Sequence, residues 1–248
     1  MKSGIQVSSL KPLLLTEAQT HEAMEKMAAL GCGVLQIQWI DPNVPIAAIA
    51  QAMTQYGLSS VSVQDFYETV MGNLSYYTDL NAATSGKWLC VSRIPEALKS
   101  QEGLDEFIRQ LRALQDVLTP LGQQVCFHPV TGDYRAVSGL DAVRYLAEHM
   151  PELMFCLDLY HLNRNCDHMP GYIRSLSGRI CMVHFKDSLD GKLCPCGQGD
   201  TDWTGVVQAC METGVPYGFV EQESWDRDPY LCLKEALDWL GDQIKSCN

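Results

Sequence analysis

Four short apolar runs in the second half of the chain each end in one polar group able to bind a metal ion. They read Val-Cys-Phe-His128, Met-Phe-Cys-Leu-Asp158, Ile-Cys-Met-Val-His184 and Tyr-Gly-Phe-Val-Glu221. The ends are 30, 26 and 37 residues apart (128 to 158, 158 to 184, 184 to 221), about one βα unit each. An uninterrupted apolar run of this length reads as a strand buried on both faces, as in a parallel sheet. In a closed (β/α) barrel the chemistry lies at the C-terminal ends of the strands. Four successive strand ends bearing His, Asp, His and Glu therefore converge on one point, which is what a divalent metal ion needs.

The rest of the chain fits the same frame. Strand signals at Gly4 to Leu10, Val34 to Ile40, Ser59 to Val63 and Trp88 to Ser92 alternate with helix signals from Thr16 to Leu30 and from Asp41-Pro42 to Tyr56-Gly57. Leu104, Phe107, Ile108, Leu111, Leu114, Val117, Leu118 and Leu121 repeat at steps of three and four, an amphipathic helix closed by Gly122. Further helices fit Ser138 to Met150, Met169 to Ser177, Asp202 to Thr213 and Asp228 to Ile244, while residues 65 to 87 give no clean period. About eight strands alternating with about eight helices predict an α/β protein, a (β/α)8 TIM barrel in one domain over residues 1–248. A doubly wound sheet is the alternative. It usually carries a Gly-rich phosphate turn after its first strand, and Gly31-Cys-Gly33 precedes a strand instead.

A net charge of −12 argues against nucleic acid as a partner, since phosphate binding wants a basic face. The eleven cysteines are scattered through apolar runs and helices with no disulfide spacing, so reduced thiols and a cytoplasmic setting are expected. Cys194-Pro-Cys196 is the only close pair, and without a second Cys/His pair nearby it reads as loop. Leu13-Leu14-Leu15 is too short for a signal sequence, and no apolar run reaches the ~20 residues of a membrane span. No membrane partner is expected, and a homo-oligomer is possible.

Side chains at i and i+2 of a strand share a face. His184 and Lys186 therefore align, as do Glu221 with Glu223 and Gln36 with Gln38. Aligned polar groups at strand ends suit the mouth of a barrel that binds a polyhydroxylated ligand. Taken singly, each has a duller reading: Asp158 as a helix N-cap, His128 or His184 as a hydrogen-bonded core residue, Glu221 as an ion-pair partner of Lys186. Their recurrence at βα spacing is what argues for a common site.

At these residues the chain resembles the sugar phosphate isomerase/epimerase family, which are xylose-isomerase-like TIM barrels. The resemblance rests on Phe127-His128-Pro129, Leu157-Asp158-Leu-Tyr-His161, the run from Arg179 to Asp187, Gly197-Gln-Gly199-Asp200-Thr-Asp202-Trp203 and Val220-Glu221. It implies Asp158, His184 and Glu221 as metal ligands and His161 as a contact to substrate oxygens. Ketose epimerases of this family carry glutamate as the first ligand and as one of two acid/base groups; here that strand end is His128. His128 is then the expected fourth ligand, and a two-glutamate mechanism is in doubt.

The expected cofactor is one divalent ion. Two His with two carboxylates suit Mn, Co, Ni or Zn better than Mg. Such an ion can hold two oxygens of a hydroxy ketone and stabilise the enediolate left when the neighbouring carbon loses its proton. Glu221 or Glu223 would take that proton, Lys186 would neutralise charge or donate, and Gln38, His161, Lys186 and Glu223 would hold the substrate. The expected activity is isomerisation or epimerisation of a small-molecule sugar or cyclic polyol. Dehydration or elimination from a keto-inositol or 3-keto-glycoside is the alternative, and an inactive sugar-binding barrel a further one. An apurinic endonuclease, which shares the fold, needs a richer ligand cluster and a basic groove than six histidines and this charge supply.

Overall fold

The computed structural model describes residues 1–134 and 140–247. Eight parallel strands close into a barrel: β1 (Lys2–Gln6), β2 (Val34–Ile37), β3 (Ser59–Phe66), β4 (Trp88–Ser92), β5 (Gln124–His128), β6 (Met154–Asp158), β7 (Ile180–Phe185) and, after the antiparallel hairpin β8 (Asp187–Leu189) and β9 (Lys192–Cys194), β10 (Tyr217–Val220). β1 pairs with both β2 and β10 and completes the ring. The helices are α1 (Glu17–Ala29), α2 (Ile46–Gln55), α3 (Tyr67–Gly72), α4 (Leu74–Ala83), α5 (Gln101–Leu118), α6 (Ala142–His149), α7 (Leu159–Asn163), α8 (Met169–Ser175), α9 (Val206–Glu212) and α10 (Pro229–Ser246). Among the described residues no helix is long and apolar enough to cross a membrane.

Both faces of the strands are buried, which is why they read as continuous apolar runs. In β5, Val125 and Phe127 join the large core under the helices, whereas Cys126 belongs to a separate inner cluster with Cys90, Cys156, Met182 and Phe219. By strand parity each of these inner residues sits two positions below a polar group at the mouth: Cys126 below His128, Cys156 below Asp158, Met182 below His184, Phe219 below Glu221. A dry floor thus lies directly under the candidate site.

α5 shows how sequence becomes packing. The Ser100 hydroxyl accepts the Gly103 N–H at 3.0 Å and starts the helix; Gly122, at φ 70°, follows its end. Leu104, Phe107, Ile108, Leu111, Leu114 and Leu118 are buried, and full burial of a side chain such as Phe107 contributes about 2–3 kcal/mol. Val117 and Leu121, counted on the same stripe, are exposed.

The structure corrects several boundaries. The first strand ends at Gln6, and Val7–Leu13 coil into a 3₁₀ turn that carries Ser8 and Ser9 over the barrel mouth. β2 stops at Ile37 because Trp39 takes a left-handed backbone, φ 58°. Residues 65 to 87 hold two helices broken at Asn73, whose extended φ of −149° interrupts the period. The helix expected from Asp202 starts only at Val206, after Gly205 at φ 70°. The one expected from Ser138 begins at Ala142 with Asp141 as its cap, and positions 138 and 139 lie outside the described residues.

Candidate metal centre and active site

Barrel register sets the geometry. Asp158 pairs with His184 across β6 and β7, and His184 with Phe219 across β7 and β10, so Glu221 emerges one pleat above. Asp158, His184 and Glu221 each offer a ligand atom within 4.8 Å of the others. His184 Nδ1 lies 3.2 Å from Glu221 Oε2 and 3.2 Å from His128 Nε2, and His128 Nε2 lies 3.9 Å from Asp158 Oδ2. All four side chains are buried.

Asp158 has both of the roles its sequence position allows. Its Oδ1 accepts the N–H groups of Tyr160 and His161 and caps α7, while Oδ2 faces His128 and, at 3.6 Å, His161 Nε2. His161 is steadied by Thr131, whose hydroxyl lies 2.8 Å from its Nδ1.

His184 is oriented from behind. Its Nε2 meets the Gln36 side-chain carbonyl and, at 3.2 Å, Cys156 Sγ. Gln36 donates in turn to Gln64 at 2.9 Å, and Gln64 to Gln38 at 3.3 Å. The carbonyl of Gln36 calls for a proton on Nε2, which turns the Nδ1 lone pair toward Glu221 and His128. The His184 Nδ1 then lies 3.2 Å from both Glu221 Oε2 and His128 Nε2, an arrangement that needs a positive charge among them. A divalent ion suits this donor set.

The same demand appears in the ionisation of the bare residues. Burial works against charge on His184, but Cys156 and Glu221 outweigh it and raise its pKa well above the ordinary value. His128 is held far down by burial and by His184. Burial would lift Glu221, yet Lys186 and His184 overcome it and leave the carboxyl at about 2. Glu221 Oε1 also accepts the Ser8 hydroxyl at 2.8 Å.

Beside these four groups, Lys186 forms an ion pair with Glu223, and its ammonium lies 5.4 Å from the Tyr160 ring. Burial lowers the Lys186 pKa, but Glu221, Asp158 and Glu223 raise it further, so it stays an ammonium. Gln38, His128, Asp158, His161, Glu221 and Glu223 line a cavity of about 500 Å³ at the mouth. The structure thus brings every predicted site residue to one place, with His184 and Lys186 in contact with the lining glutamates.

Sequence reasoning missed Ser8, Cys156 and Asp187, and did not connect Gln36 to His184. Asp187 is fully buried and accepts from the N–H groups of Ser188, Gly197, Gly199 and Thr201 and from Trp203 Nε1. It organises the loop after β7 that the sequence left as a plain turn. Gly199 is required there: a Cβ would meet Asp187 Oδ1 at 2.2 Å. The Gly-x-Gly spacing before Trp203 was the available signal.

The family model for xylose isomerase-like TIM barrels matches residues 17–243, and the chain belongs to that family. No curated protein sequence matches it significantly. Solved structures with the same fold include a sugar phosphate isomerase/epimerase from Parabacteroides distasonis, 16% identical with a TM-score of 0.77 over 96% of this chain and 97% of that one. A D-allulose 3-epimerase from Methylomonas sp. in complex with D-allulose is 18% identical, with a TM-score of 0.73 over 100% and 97%. A 3-keto-D-glucoside 4-epimerase from E. coli is 19% identical, with a TM-score of 0.71 over 98% and 99%.

Proposed function

We propose that this chain is a metal-dependent sugar isomerase or epimerase that moves a proton on the carbon beside a carbonyl. The observation that carries the reading is the meeting of His128, Asp158, His184 and Glu221 at one cavity, with Lys186 and Glu223 beside them. The neighbouring folds whose names are those of sugar epimerases support the same class.

His128, Asp158, His184 and Glu221 would hold the ion. It would polarise the carbonyl and offset the charge that develops on oxygen as the C–H bond breaks. Glu221 takes the proton, held in place by Ser8 and by the β10 strand end. Lys186 and Glu223, as a pair on the same wall, balance the charge left on the substrate oxygens. His161 and Gln38 donate to hydroxyl groups and fix which carbon faces the base.

A lyase reading has one observation in its favour. The β5 strand end, where family ketose epimerases carry an acid/base glutamate, is His128, so only one carboxylate base of the usual pair is present. Elimination from a keto-inositol or 3-keto-glycoside needs only one.

The test is solvent exchange. Metal-loaded protein in D₂O is offered ketohexoses, keto-inositols and 3-keto-glycosides. Deuterium should enter the carbon beside the carbonyl of at least one of them, and Glu221→Gln should slow this by at least ~10², the scale of losing a positioned base. Loss of exchange in Glu223→Gln but not in Glu221→Gln would move the base to Glu223. Tight metal content with no exchange on any member would leave a sugar-binding barrel.

A further inference from the structure

The mouth cavity holds two further cations. Arg93, the residue after β4, and Lys99 line it together with the candidate site residues. The carboxylates that line it are Glu96, Asp158, Glu221 and Glu223. Each of these has a positive partner. Asp158 and Glu221 would neutralise a divalent ion, Glu223 pairs with Lys186, and Glu96 pairs with Lys99 at 2.9 Å. Asp133, close enough for Lys99 and Arg93 to act on its charge, is fully buried, and its two oxygens accept the Ile94 and Val130 N–H groups. Arg93 is left over: among the described residues its guanidinium has no carboxylate partner.

The backbone fixes where that guanidinium stands. Arg93 has a left-handed φ of 65°, which residues other than glycine seldom take. Its N–H donates to the His128 carbonyl at 3.2 Å, which ties it to the strand end that carries His128. The Ser92 hydroxyl, one residue earlier, lies 3.1 Å from His128 Nδ1. The guanidinium carbon is 4.1 Å from the centre of the Phe66 ring, and Phe66 lines the same cavity. A ring holds a guanidinium without offering a lone pair to its N–H donors, so those donors stay open to a ligand. The side chain is exposed, so a ligand in the cavity can reach it.

We infer that Arg93 holds an anionic group of the substrate, so that the substrate is a keto sugar acid whose carboxylate lies at the end of the chain away from the reacting carbon. This rests on the proposed sugar activity and specifies its substrate class. A single surplus cation calls for a monoanion, and a planar guanidinium matches a carboxylate with two parallel N–H bonds. A cavity of about 500 Å³ takes a six-carbon acid of this kind.

The experiment measures binding to the full, metal-loaded chain by calorimetry at low ionic strength. The probes are D-fructose, D-fructuronate (the same ketose with its last carbon as a carboxylate) and D-fructose 6-phosphate. Wild type should bind fructuronate at least ~10-fold more tightly than fructose, the scale of a charge-assisted pair of hydrogen bonds. Arg93→Asn removes the charge, and asparagine accepts the left-handed backbone more readily than most residues. This variant should keep its metal by elemental analysis and bring the ratio of the two affinities close to one. Equal binding of fructose and fructuronate by wild type overturns the inference. So does a preference that survives Arg93→Asn, as direct binding of the carboxylate to the ion would give. Tighter binding of the phosphate than of fructuronate, lost in Arg93→Asn, overturns the sugar-acid assignment in favour of a sugar phosphate. Solvent proton exchange reads the activity separately. Exchange without the Arg93-dependent preference removes only the subsite, and the preference without exchange on any keto-sugar removes only the proposed activity.

Discussion

Replacing Asp187 by Asn should be far more costly than its loop position suggests. Oδ2 accepts from Gly197 N (3.0 Å), Gly199 N (3.1 Å) and Trp203 Nε1 (3.0 Å); Oδ1 accepts from Ser188 N (2.9 Å) and Thr201 N (3.3 Å). An asparagine can keep the larger set only by aiming its NH₂ at the other two donors. Those two bonds are lost, at about 1 kcal/mol each once half-exposed Thr201 finds water. The three that remain exchange a charged acceptor for a neutral one and weaken by about 1 kcal/mol each. The total is about 5 kcal/mol, which in a chain of this length lowers Tm by about 10–20 °C. Thermal unfolding followed by circular dichroism measures this, and tryptophan fluorescence reports Trp203 leaving its contact with Phe185 and Trp239. Asp202→Asn is the control. Asp202 is exposed and caps Thr204 N, so its replacement should change little. An Asp187→Asn variant that melts within ~2 °C of wild type would refute the idea that this carboxylate organises the loop beside Lys186.

Asp158→Asn and Asp158→Ala should separate the residue's two tasks: both lose metal by elemental analysis, but stripped of metal only the alanine variant should lose the α7 cap, about 1 kcal/mol, with equal stability of the two variants counting against a capping role. Burial lifts the Asp133 carboxyl to about 6, against the pull of the Val130 and Ile94 N–H groups. Because this folded pKa lies above the unfolded value near 3.9, its stabilising contribution is whole below that value and lost as pH rises through about 6. The stability of wild type minus Asp133→Asn should therefore fall by roughly 3 kcal/mol between about pH 4 and pH 7 in denaturant titrations, and a flat difference would show the carboxyl to be ordinary.

The barrel and the four donors were legible because both are local. A run such as Ile-Cys-Met-Val-His184 declares a two-face-buried strand and its polar end within a few residues, and the βα spacing does the rest. Contacts that close the ring were not. Ser8 reaches Glu221 across 213 positions, and Gln36 reaches His184 across 148, pairings that exist only because the barrel closes, with β1 between β10 and β2. The inner cysteines were visible as apolar residues, but not that Cys156 would touch the histidine above it. Trp39 read as strand because its neighbours are apolar; its left-handed backbone is set by Asp65, Lys11 and Phe66 from other segments.

On the proposed reading, the replacement of a glutamate by His128 bears on the reaction through elementary stereochemistry. Removing a proton beside a carbonyl leaves a planar carbon. Returning a proton to the same face restores the configuration, so an epimerase must deliver it to the opposite face, whereas isomerisation and elimination can be completed by a group on one side. Here Glu221, Glu223 and Lys186 all project from the ends of β7 and β10. On the neighbouring strands β6 and β5 and on α7 are Asp158, His128 and His161. With His128 and Asp158 committed to the ion, the further proton carrier among them is His161, which is partly exposed at the cavity and held by Thr131. On this reading, inversion at carbon would need His161 to do what a glutamate would otherwise do. If His161 only holds a hydroxyl, the same residues perform one-sided chemistry, and the choice between epimerase and isomerase or lyase comes down to that one imidazole.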